Sequence, residues 1–101
     1  SETITPAHWD TYANVLLQVR GQKKAHLADI LDSSFLYGGN WDDTFPISPV
    51  DLTLVGSDAS SHGNAMLTEE LELFPKARHA QISACVLEQG DALIIPAYTW
   101  H

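Results

Sequence analysis

Three side chains in this sequence have the types and spacing of a metal centre. His8 and Asp10 stand two residues apart in Thr5-Pro6-Ala7-His8-Trp9-Asp10, and His101 follows the apolar run Leu93-Ile94-Ile95-Pro96-Ala97-Tyr98-Thr99-Trp100. In extended backbone, residues i and i+2 point to the same side. An imidazole and a carboxylate can therefore meet at one point while Trp9 packs on the opposite face. Two histidines and one carboxylate with coordination positions left open suit non-haem Fe(II). Taken singly, His8 or His101 is more often a packed or surface histidine than a ligand. The elements that carry them have to decide.

The first of these is Asn14-Val15-Leu16-Leu17-Gln18-Val19-Arg20, which has strand composition and near alternation. Val15, Leu17 and Val19 fall on one face, with Asn14, Leu16, Gln18 and Arg20 on the other. Gly21-Gln22 then separates it from Lys23-Lys24-Ala25-His26-Leu27-Ala28, and a two-residue loop with Gly first predicts a type II′ hairpin. In that register Arg20 and Lys23 stand opposite each other on the Asn14 face. Like charges so placed are destabilising, which points to an acidic ligand beside them. Lys24 alternates away to solvent.

Residues 29–37 read as a helical turn or two, capped by Asp32 or Ser33 and ended by Gly38-Gly39-Asn40. A loop-rich insertion, about residues 38–67, follows, with a short extended piece at 50–55. Loops of this length in a compact domain are uncommon. A short helix begins at Thr68 and stops before Pro75. Strands over about 79–88 and 92–96 flank the turn Gln89-Gly90-Asp91. The class is all-β with minor helices, and a small barrel or jelly roll brings the first and last strands side by side. That closure would join His8 and Asp10 to His101.

The 101 residues make one domain or a piece of one, with 45% hydrophobic content. The chain opens on an extended run and stops at the third candidate ligand, so an excerpt of a larger domain is expected. A net charge of −8, with Arg20, Lys23, Lys24, Lys76 and Arg78 the only basic residues, disfavours this segment as the main nucleic-acid contact. A nucleic-acid substrate held by other parts stays open. The single Cys85 excludes an internal disulfide and fits a reducing compartment, hence a cytoplasmic or nuclear location. No leader and no long apolar run points to a membrane. Gly-x-Ser-x-Gly, phosphate-loop and paired-Cys motifs are missing, leaving hydrolase, nucleotide and zinc-ribbon readings without support. His26, His62 and His79 have no partner at useful spacing. Tyr12 and Tyr98 are equally readable as pocket lining and as core.

The sequence resembles the JmjC and cupin-like family of Fe(II)- and 2-oxoglutarate-dependent oxygenases. The resemblance runs over nearly the whole chain, through Thr5-Pro6-Ala7-His8-Trp9-Asp10, the run from Asn14 to Lys24, and the run from Gly90 to His101. It implies a double-stranded β-helix, a jelly roll with iron at one end. By position, His8, Asp10 and His101 would be the iron ligands. Lys23 would pair with the distal carboxylate of 2-oxoglutarate, helped by the Thr5 hydroxyl, and Asn14 would sit beside the co-substrate. Trp100 before the last histidine is usual in the family, whereas Thr99 stands where a bulky residue is common.

The activity so implied is a hydroxylase that consumes O2 and decarboxylates 2-oxoglutarate to succinate. Its target would be a protein side chain or a modified tRNA base such as wybutosine. Phe74-Pro75-Lys76-Ala77-Arg78 looks most like the small cupin-like hydroxylases of this group. A JmjC histone lysine demethylase is one alternative. A non-catalytic cupin-fold binding or scaffold module that keeps the ligands without turnover is another. Oligomeric state is not legible.

Overall fold

The computed structural model describes residues 6–38, 47–55 and 64–101. Among these described residues, six strands and two α-helices are ordered β1 (Ala7–His8), β2 (Asn14–Leu17), β3 (Lys23–Leu27), β4 (Ile47–Ser48), α1 (Leu52–Val55), α2 (Asn64–Leu73), β5 (Ser83–Leu87) and β6 (Ala92–Ile95). This strand-dominated arrangement is the expected jelly-roll class. Short 3₁₀ turns at Ile30–Asp32 and Pro75–His79 complete it.

The pairing is what positions the site. β2 runs antiparallel to β6, from Asn14↔Ile95 to Leu17↔Ala92. β3 runs antiparallel to β5, from Lys23↔Leu87 to Leu27↔Ser83. One two-stranded ribbon therefore passes through both pairs and folds at a corner between them. Gln18 N–H donates to Asp91 O at 2.9 Å and Gly90 N–H to Gln18 O at 2.8 Å, which carries the ladder into the corner. On its far side the Gln22 side chain donates to Glu88 at 3.2 Å.

This topology corrects the expected β2–β3 hairpin. Gly21 does hold a positive φ of 68°, but it turns the ribbon and closes no hairpin. Each of β2 and β3 pairs along one edge with β6 and β5 respectively, and not with the other. Arg20 and Lys23 are thus not a cross-strand pair, and their clash gives no argument for an anion.

Four local expectations also change. The extended piece expected over 50–55 is helical at Leu52–Val55, because Asp51 Oδ1 accepts from the Thr53 N–H and hydroxyl, at 2.9 and 2.6 Å, and starts the turn. The turn after β3 is N-capped by Asp29, whose carboxylate accepts from Leu31 N–H at 2.8 Å, while Ser33 stands at its C-cap and Asp32 inside it. The helix expected from Thr68 begins at Asn64, so Thr68 lies inside it, and it ends before Pro75 as expected. His79 belongs to the 3₁₀ turn and β5 starts only at Ser83, since Pro75 favours a tight turn start and Lys76-Ala77-Arg78-His79 continues it.

The core is small. Ala7, Ala28, Leu36, Val50, Leu52, Ala77 and Trp100 form its buried cluster, with Trp9, Tyr37, Leu71 and Phe74 packed around it. Trp100 dominates by volume. An indole of this kind removes roughly 150–250 Å² from water, worth at most about 4–6 kcal/mol at ~25 cal/mol per Å². In contrast, Val15, Leu17, Val19 and Ile94 on the outer face of the β2–β6 pair are 60–68% exposed.

Candidate metal centre

The histidines meet because the segment before His101 pairs with the segment after Ala7. His8 N–H donates to His101 O at 3.0 Å, and His101 N–H returns the bond to His8 O at 2.9 Å. Reciprocal bonding makes them directly opposite residues of an antiparallel pair, whose side chains share one face. The ring centroids are 4.3 Å apart. Tyr98 N–H donates to Asp10 O at 2.8 Å and extends this register past the end of β1. Trp9 points the other way, toward the core, and lies 5.3 Å from the Tyr98 ring.

Asp10 Oδ2 stands 3.7 Å from His8 Nε2 and 3.6 Å from His101 Nε2. Among the described residues this is the one cluster of three His, Cys, Asp or Glu donors able to hold an ion, and all three side chains are half-buried. The imidazoles are oriented by their other nitrogens. His8 Nδ1 lies 3.2 Å from Pro6 O, and His101 Nδ1 lies 2.9 Å from Thr99 O. A carbonyl can only accept, so each Nδ1 donates there and each Nε2 is left facing Asp10. Metal-bound histidines are commonly held by such a backbone bond. Asn14 Nδ2 donates to Asp10 Oδ2 at 2.8 Å and fixes the carboxylate in turn. Two imidazole Nε2 atoms and an anchored carboxylate oxygen fit a divalent first-row metal.

Beside this cluster lies a cavity of about 480 Å³, walled by parts of β1, β2, β3 and β6, by residues 48–53 and by His101. Its lining is mainly apolar, with Lys23, Lys24, His26 and Asp51 as the charged or titratable groups besides His101. Lys23 reaches it as the first residue of β3, its side chain exposed to solvent. Lys24 is exposed to solvent, as expected, and also borders the same cavity. Asn14 is brought to Asp10 and not to the cavity wall, and Thr5 lies outside the described residues, as does His62. Neither Tyr12 nor Tyr98 lines the cavity; both are largely exposed, at 63% and 47%.

The wall formed by Ser48, Pro49, Val50, Asp51, Leu52 and Thr53 was not legible as part of a site. Its one signal was Asp51 two residues before Thr53, a side-chain turn that begins a helix.

A cupin-like domain model matches residues 1–101. The chain belongs to the JmjC and cupin-like family. It is 36% identical over 99 residues to lysine-specific demethylase JMJ30 of Arabidopsis thaliana, covering 98% of this chain and 20% of that protein. Human HSPB1-associated protein 1 is 34% identical over 98 residues, covering 96% and 18%. Mouse tRNA wybutosine-synthesizing protein 5 is 34% identical over 95 residues, covering 93% and 24%. The chain thus spans about a fifth of the length of these curated relatives.

Proposed function

We propose that this chain is part of the catalytic domain of an Fe(II)- and 2-oxoglutarate-dependent hydroxylase. The observation that carries the reading is the orientation of the two imidazoles. Both Nδ1 atoms are bonded to backbone carbonyls, and both Nε2 atoms converge on one carboxylate oxygen held by Asn14. In this role His8, Asp10 and His101 hold the iron, and the adjoining cavity takes 2-oxoglutarate. When bound, the iron and 2-oxoglutarate together activate O2 for C–H hydroxylation, with succinate and CO2 as co-products.

The chain's own part is placement. Lys23, at the cavity, pairs with the far carboxylate of the co-substrate, and its ammonium gives that end a fixed location. Leu16, Val50, Leu52 and Ile95 supply apolar wall to the cavity that Lys23 and His101 also line and limit water there. Thr5 is assigned to the same carboxylate by position in the sequence alone. The domain reading extends over 1–101, with residues of about 38–67 as an insertion whose 48–53 part forms cavity wall.

The substrate classes that the relatives' names bring forward are a protein lysine and a tRNA base. With only five basic residues in a chain of net charge −8, we infer a protein side chain, or an RNA held by other parts of the protein. Metal-dependent co-substrate binding tests the site: calorimetry on the full-length protein should show 2-oxoglutarate binding with Mn(II) present and none after chelation. Binding that ignores the metal overturns the assignment.

A further inference from the structure

Trp100, the residue before His101, is fully buried. Its backbone N–H and C=O both bond to Ala28, at 2.8 and 3.0 Å. Its indole N–H donates to Ser33 Oγ at 2.9 Å. Gly38 meets the far edge of the same ring. A Cβ placed on Gly38 would collide with both Cζ2 and Cη2 of Trp100, far inside the roughly 3.5–4.0 Å of a normal carbon contact. Gly38, unlike Gly21 and Gly90, does not have a positive φ. Glycine is needed there for the missing side chain and not for its backbone freedom.

The two contacts form one clamp. Gly38 N–H donates to Ser33 O at 3.0 Å, so the residues gripping the indole are bonded to each other. The Ser33 hydroxyl donates to Ile30 O at 2.5 Å, which leaves its oxygen lone pairs facing the indole N–H. With core around it and one edge anchored, the ring has no free direction in which to yield. A push on the ring passes to the Trp100 backbone and, one peptide bond later, to His101.

We propose that Gly38 and Ser33 are positioning residues of the metal centre: they set the depth and rotation of Trp100 and thereby the location of His101 Nε2. The inference rests on the reading of His8, Asp10 and His101 as a metal site. It predicts that metal affinity responds to side chains that never approach the metal.

Co(II) titration of the full-length protein, followed by visible absorption, tests it. Gly38→Ala should bind Co(II) about tenfold or more weakly, the size of effect seen when the support of a ligand is lost, with an altered absorption envelope. Ser33→Ala should bind several-fold more weakly. In a Trp100→Phe background, which lacks the ring atoms opposite Gly38, Gly38→Ala should cost little further affinity. Leu71→Ala in α2 serves as the control, lowering the unfolding temperature without changing Co(II) affinity. Wild-type affinity and spectrum in Gly38→Ala or Ser33→Ala overturn the proposal, as does additivity with Trp100→Phe. Should Gly38→Ala not fold, Ser33→Ala decides alone. Absence of Co(II) binding by the wild type removes the metal reading and this inference together, whereas unaffected variants remove this inference only.

Discussion

The 2.8 Å bond from Asn14 to Asp10 Oδ2 gives Asn14 a role that strand periodicity could not show. Asp10 and Asn14 are four apart, and their meeting depends on how residues 11–13 bend between β1 and β2. By contrast, the convergence of His8 with Asp10 was legible from i, i+2 spacing, and that with His101 from an apolar last strand that had to pair somewhere. Replacing Asn14 with Ala frees the carboxylate to rotate, so Co(II) affinity is expected to fall by about 10–100-fold, read by the same titration. Lys23 is exposed at the cavity, which tempers its contribution. A hydrogen bond to a charged group is worth about 1.5–3 kcal/mol. Lys23→Ala should therefore raise the 2-oxoglutarate concentration for half-saturation by roughly 10–100-fold, with metal affinity unchanged. An unchanged co-substrate requirement removes Lys23 from its assigned role.

The elements were legible where they alternate and opaque where a choice of partner was needed. The alternation predicts β2, β3, β5 and β6, yet β2 and β3 read as a hairpin because two-residue loops are the commonest hairpin connections and Gly first suits a type II′ turn. Only the register of the whole ribbon, Val15↔Ile94 and Lys24↔Val86, shows otherwise. The corner it creates depends on Gly21 and Gly90, at φ of 68° and 93°. Neither would crowd a neighbour if given a Cβ, so the cost of Gly21→Ala or Gly90→Ala is conformational, about 1–2 kcal/mol each. A denaturant-unfolding midpoint should register that loss for each variant. Helix α1 was missed because four residues carry no period; the Asp51 side-chain turn was its only mark.

At the scale of the molecule, the strand-based class was readable from alternation and turns, but which face of β2 points inward was not. Hydropathy favours burying Val15, Leu17 and Val19. Instead Asn14 and Leu16 turn inward, toward the site, and the three apolar residues join Ile94 in an exposed patch. Such a patch favours association or apolar-dye binding. In the 101-residue chain, Val15→Thr, Leu17→Thr and Ile94→Thr combined should reduce dye binding while leaving the unfolding midpoint nearly unchanged. No helix among the described residues is long and apolar enough to cross a membrane. A site so assembled, with oriented imidazoles, an anchored carboxylate and an adjoining cavity that holds Lys23, separates a working oxygenase from a scaffold of the same fold by turnover alone. The most direct measurement is succinate formation from 2-oxoglutarate by the full-length protein with Fe(II), O2 and ascorbate. If His8, Asp10 and His101 hold a working iron centre, succinate forms above background in the wild type and not in Asp10→Ala. Wild-type protein that binds metal and 2-oxoglutarate yet forms no succinate, or an Asp10→Ala variant as active as the wild type, would contradict it.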